Sequence, residues 1–367
     1  MSEIASGERV AVPPGTGKRR HIGFLDGFRA LAILSIVAGH SYAFAWGEER
    51  PASSFDFLMP ILSGNTALFV FISGFLFHHV FADRFDYGAF MVSKFDKLIK
   101  PYGVATAATL LVVLSVGGPT NAFLYFDGSV SMDPLSTYLV ALATGVPHTA
   151  LWYIPFAVLL YAASPAMMAY IQARPRERLA FLLASIALAM LVHRAAWNLN
   201  LLQNFAYFLP FYLFGLEASL RREQFSRFSA SPATIAICAA GAFALAFWQM
   251  EVRGVPIPSG PPFAALGFDA MVVQKLLLIV AICGILQRIG ETGHFLRTLA
   301  GDSFGIFFVH SIVLIWCVEL VGMGGLSIGN KYFDLALATL LVMGASWMIV
   351  RLVKSVAPGQ SRQIVGA

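Results

Sequence analysis

Apolar runs of about 20 residues, the length that carries a helix across roughly 30 Å of hydrocarbon, recur along most of the chain with short polar stretches between them. Ten such runs stand near 24–46, 57–81, 101–118, 150–171, 179–197, 201–220, 232–250, 263–287, 303–323 and 333–353. The fifth and sixth are parted only by the polar stretch around Asn198 and Asn200. The pattern predicts an all-α integral membrane protein, a bundle of about ten transmembrane helices. Two connections are longer than the rest. Phe85, Phe90, Phe95 and Ile99 stand among Asp86, Lys94, Asp96, Lys97 and Lys100, which predicts an amphipathic helix over 83–100 lying at the headgroups until Pro101 starts the next crossing. The other, 119–149, carries Asp127 and Asp133 but neither Lys nor Arg.

Composition makes lipid the solvent. Of 367 residues 58% are hydrophobic and 12% charged, against roughly 25% charged in ordinary soluble domains. The net charge of +5 forms no basic stripe interleaved with aromatics, so nucleic acid is not the expected partner. The basic residues read as topology instead, because Lys and Arg of short loops stay on the cytoplasmic side. With both termini cytoplasmic, every loop Lys and Arg falls inside except Arg50, Arg194, Arg253 and Lys331, and Arg29 and Lys275 lie within helices. Residues 1–20, ending in Lys18-Arg19-Arg20 without a preceding apolar segment, read as a disordered cytoplasmic tail, 21–355 as the transmembrane domain and 356–367 as a cytoplasmic C-terminal tail. Cys238, Cys283 and Cys317 all sit in apolar runs and read as core residues; neither a disulfide framework nor a metal site is expected.

Ionisable groups inside crossings are expensive in hydrocarbon and are therefore candidates for function. Arg29 and His40 stand 11 positions apart, which on a helix is about 20° from whole turns and roughly 16 Å along the axis. They share one face at different depths, with Asp26 close to it. A neutral imidazole can take a proton from a hydroxyl, whereas a guanidinium stays charged and suits phosphate or carboxylate. An Arg29–Asp26 ion pair that sets helix depth is the structural alternative. Glu217, Asp269, Lys275 and Glu319 are expected chiefly to pair with one another, and His148 is expected on an exposed loop.

The segment Leu25-Asp26-Gly27-Phe28-Arg29-Ala30-Leu31-Ala32 through Gly39-His40 resembles the first-helix signature of the acyltransferase 3 family of multipass membrane acyltransferases. Three further segments follow in the family's order. Leu68-Phe69-Val70-Phe71-Ile72-Ser73-Gly74-Phe75-Leu76 resembles its second-helix stretch, Leu151-Trp152-Tyr153-Ile154-Pro155 its Leu-Trp-aromatic segment, and Ser303-Phe304-Gly305-Ile306-Phe307-Phe308-Val309-His310 its late Ser-to-His element. There are departures: Lys94 and Lys97 stand where the family tends to carry arginines before a Pro-aromatic pair, here Pro101-Tyr102, and Ala157, Val158 and Leu159 stand where some relatives have a glutamate.

The resemblance implies transfer of an acyl group, most often acetyl, from cytoplasmic acyl-CoA to a carbohydrate hydroxyl at an inner membrane. Acyl-CoA is then a co-substrate rather than a resident cofactor, and the partners are membrane lipids, a carbohydrate acceptor and polysaccharide-biosynthesis machinery. In that scheme Arg29, Lys94 and Lys97 hold the CoA phosphates, and His40 is general base or acyl carrier, with the base favoured. Ser73, Trp152, Tyr153 and His310 are the substrate-side candidates. A transporter or flippase for a sugar or anion is the alternative, but it gives no reason for the four segments to occur together.

Overall fold

The computed structural model describes residues 22–46, 58–115, 133–145, 150–253, 259–264, 266–290, 292–319 and 330–366. The tail expected at 1–20, much of the connection 119–149, and His148 lie outside these residues.

The described chain is almost wholly helical. Its helices are α1 Gly23–Trp46, α2 Leu58–Leu62, α3 Thr66–Leu76, α4 Tyr87–Lys94, α5 Lys100–Ser115, α6 Pro134–Thr144, α7 Tyr153–Ala162, α8 Ser164–Gln172, α9 Pro175–Val192, α10 Leu201–Leu220, α11 Arg222–Ser229, α12 Pro232–Arg253, α13 Ala270–Ile289, α14 His294–Glu319, α15 Lys331–Val356 and α16 Ser361–Ile364. The strands β1 Arg194–Ala195 and β2 Ser259–Gly260 form a short parallel pair that ties the α9–α10 turn to the segment before α13.

Among the described residues six helical runs could cross a membrane by length and composition: α1, Leu58–Arg84, α12, α13, α14 and α15; the bent pair α7–α8 makes a seventh if taken as one span. Each of the ten expected runs holds a helix among the described residues, but three fall short of a free-standing span for identifiable reasons. α5 has 16 residues. α9 opens on Arg176, Glu177 and Arg178. α10 is the central helix, buried along most of its length, so it can carry Gln203, Asn204 and Glu217 without offering them to lipid.

Interruptions of the helices position the site. The second run breaks after Leu62 at Gly64, whose φ of +71° suits a residue without a Cβ. The fourth breaks before Pro165, so that α7 and α8 meet at 54°. The helix expected at the headgroups does not stand apart: the chain is helical without a gap from Tyr87 to Ser115. A π-helical turn, Phe95–Ile99, ends two residues before Pro101, and its wider winding accommodates a residue that cannot donate a backbone bond. The 119–149 connection is not all loop either, since α6 lies along α5, with Tyr102 donating to the Ala141 and Leu142 carbonyls at 3.0 and 2.8 Å.

Aromatic side chains fill the centre. Phe28, Phe71, Phe75, Phe156, Phe208, Phe211 and Tyr212 are fully buried. α3 and α10 cross with their backbones in contact: a Cβ added to Gly74 would run into the Tyr212 carbonyl, and one added to Gly215 into that of Phe71. Past α15 the chain folds back, burying Val365 and setting Gly366 against Phe304 and Phe308.

Candidate active site

α1 and α14 meet at two levels. Near their N-termini Arg29 Nη2 donates to Ser303 Oγ at 3.4 Å, and farther along His40 Nδ1 and His310 Nε2 are 2.9 Å apart. The two helices therefore run parallel, and the first and last of the four sequence segments face each other.

The bonding sets the tautomers. His310, fully buried, has its Nδ1 3.0 Å from the Ile306 carbonyl oxygen. A carbonyl only accepts, so His310 Nδ1 carries the proton and Nε2 of the neutral ring is an acceptor. His40 must then donate from Nδ1, which leaves its own lone pair on Nε2. The result is a hydrogen-bond chain from His40 through His310 to a backbone carbonyl. A histidine held in one tautomer by a second group is an arrangement that can orient a base.

His40 lines a cavity of about 210 Å³ together with Ile36 and Gly39 of α1, the α2–α3 corner Leu62–Thr66, Ala150, Trp152, Arg194 and Phe307. Trp152 reaches this wall because Gly145 closes α6 in the left-handed region and lies against the Trp152 backbone. Trp152 also stacks on Phe208 at 5.6 Å. Ser73 and Tyr153 sit one layer behind: their hydroxyls are 3.4 Å apart, and Tyr153 packs edge-on against Phe307.

The three cations expected at the CoA phosphates have separate surroundings. Arg29 is half-buried against α14. Lys94 stands in an aromatic box, its Nζ 5.0, 5.0 and 4.4 Å from the rings of Phe81, Phe90 and Tyr161. Lys97 is exposed on the π-helical turn.

Among the described residues Glu217, Asp269 and Lys275 do not pair with one another as expected. Glu217 binds Arg178 and Arg221 at 2.7 and 3.2 Å, Asp269 caps α13, and Lys275 donates to the Pro60 and Ile61 carbonyls, both at 2.9 Å. The Glu319 side chain lies outside the described residues.

Two residues of the cavity went unremarked as site candidates. Asn65 is 4% exposed and its Oδ1 is buried without a hydrogen-bond partner. Arg194 enters the cavity from the α9–α10 turn. Signals existed for both: Ser63-Gly64-Asn65 interrupts an apolar run, and Arg194 is one of the few basic residues that break the charge bias.

Comparisons with curated proteins and with solved structures gave no match. The acyltransferase-domain model of the acyltransferase 3 family matches residues 22–351, nearly the whole chain, and takes in both faces of the His40–His310 contact. With its apolar helices long enough to cross a membrane and this match, the chain belongs to the acyltransferase 3 family and is a multi-pass membrane acyltransferase.

Proposed function

We propose that the protein is an O-acyltransferase of the inner membrane, moving an acyl group, acetyl in the simplest case, from cytoplasmic acyl-CoA to a hydroxyl of a cell-surface carbohydrate or glycolipid. The observation that carries this reading is the His40–His310–Ile306 relay at the wall of a cavity. The acceptor hydroxyl loses its proton to His40 Nε2 as its oxygen attacks the thioester carbonyl. The C–O bond forms, the C–S bond breaks, and the proton passes from His40 to the departing CoA thiolate. No net proton is gained or lost.

Arg29, Lys94 and Lys97 hold the CoA phosphates on the cytoplasmic side, and the pantetheine arm spans the roughly 16 Å between the levels of Arg29 and His40. The chain crosses ten times with both termini inside. The parallel run of α1 and α14 supports this, because seven crossings between them return the chain to its starting side before α14 begins. Polysaccharide-biosynthesis machinery supplies the acceptor.

The test is the purified protein in nanodiscs with acetyl-CoA as donor. His40→Ala is expected to lower CoA release by about 10²–10⁴-fold, the usual contribution of a general base, with acetyl-CoA still bound. Full activity in that variant would remove His40 from the mechanism.

A further inference from the structure

Arg194 is an unusual tenant of this cavity. Its Nε donates to Asn198 Oδ1 at 2.6 Å, and its guanidinium lies over the rings of Trp152 and Phe208 at 5.0 and 5.9 Å. Asn198 is neutral, and no carboxylate is at ion-pair distance from Arg194 among the described residues; Asp269 and the Tyr207 phenol act on it only through space. The two rings and the Nε bond hold the guanidinium in place, and bracing the turn engages Nε alone. A planar cation held this way is preorganised for an oxyanion, because its terminal N–H groups present a fixed fork.

The second observation is Asn65. Its side chain shares the cavity wall, and its buried Oδ1 accepts no hydrogen bond from the described residues. Buried amide oxygens are nearly always satisfied, so an orphan beside a cavity points to a ligand donor such as a sugar hydroxyl. Size narrows the ligand further. At about 210 Å³ and partly open, below the roughly 300–1,000 Å³ of sites that enclose a drug-sized ligand, the space seats one sugar unit and leaves any longer glycan outside it. The CoA phosphates have their own arginine at the level of Ser303, so a second one beside His40 is not needed for the donor.

We propose that Arg194 recognises the acceptor, binding an anionic group, carboxylate or phosphate, borne by the sugar that presents its hydroxyl to His40, while Asn65 accepts a hydrogen bond from the same sugar. The proposal rests on the acyltransferase reading above and assigns the acceptor's chemical class.

The experiment measures CoA release from acetyl-CoA by the nanodisc protein with three probes: methyl glucuronide, glucose 6-phosphate and uncharged methyl glucoside. A charged probe is expected to exceed the glucoside by about 10–100-fold in kcat/KM, the range for losing a charge-assisted hydrogen bond. Which charged probe leads tells carboxylate from phosphate. Arg194→Gln brings the ratio to about one, and Arg194→Lys leaves it in between. An arm that needs no variant is salt: the KM of the charged probe rises with ionic strength in the native protein, and that of the glucoside does not. Equal use of charged and neutral probes by the native protein, or a preference that survives Arg194→Gln, overturns the assignment while leaving the acyltransferase in place. Absence of CoA release under every condition, water included, overturns both.

Discussion

His310 is deep in the protein, and in the proposed reaction it acts only through His40. Its worth lies in which nitrogen is protonated: the Ile306 carbonyl claims the Nδ1 proton, so Nε2 can only accept, and His40 is held by the one N–H it has. Replacing His310 frees the His40 ring to rotate and to change tautomer. His310→Ala should lower kcat by roughly 10–100-fold with little change in KM for acetyl-CoA, a fraction of what the base itself contributes. His310→Gln, whose amide oxygen can accept the same bond, should recover part of that loss. Equal damage by both variants in steady-state kinetics would make His310 a packing residue. His40 and His310 were both visible as histidines in apolar runs. Their 2.9 Å contact was not, because 270 positions separate them and only the packing of α1 on α14 closes that distance.

At the scale of elements, the site depends on where helices stop. The α2–α3 corner supplies a whole wall of the cavity, and a corner in a crossing leaves the last carbonyls of α2 without helical partners. Lys275 and Gln274 of α13 donate to them: Lys275 to Pro60 and Ile61, Gln274 to Pro60 at 3.2 Å. This explains a fully buried lysine that hydropathy alone marks as an anomaly. Lys275→Met should therefore lower the thermal midpoint in detergent, at a cost of about 1–3 kcal/mol for the unsatisfied carbonyls, and reduce kcat/KM by loosening the corner. A variant as stable and active as the native protein would show that the corner holds itself. The length of each apolar run was legible from hydropathy; the breaks at Gly64 and Pro165 were not read from it, since an apolar count does not register a backbone angle. Nor does an apolar count register that the helix of 83–100 runs on into α5 through a π-turn.

For the molecule as a whole, polar contacts gather at two levels. Toward the ends of α1 and α14 that hold Arg29, Asp302 ties α14 to α15: Arg351 lies 3.0 Å away, Lys354 also pairs with it, and the Trp347 indole donates at 2.9 Å. Thr292 bonds the Gly23 carbonyl at 2.8 Å on the same side. The cavity lies at the other level, beyond an apolar core. With ten crossings, impermeant maleimide added to intact cells should label a cysteine placed at Asp127 and spare one placed at Arg222 until the membrane is opened. Labelling of Arg222→Cys in sealed cells would overturn that orientation. All three native cysteines are free thiols, two buried and Cys317 half-buried, so they are replaced before the measurement.

Hydropathy and charge bias by themselves determined that the protein is helical and lives in lipid, because both depend on composition summed over a run and on nothing distant. The spacing of Arg29 and His40 was equally local, a property of one helix. What only the tertiary structure decided is pairwise. It set which histidine bonds which, brought Arg194 from the α9–α10 turn to the same cavity as His40, and left the Asn65 oxygen facing space with no partner among the described residues. Those facts follow from helices packed across long stretches of sequence, where a shift of one turn would separate every pair without altering the pattern of any single run.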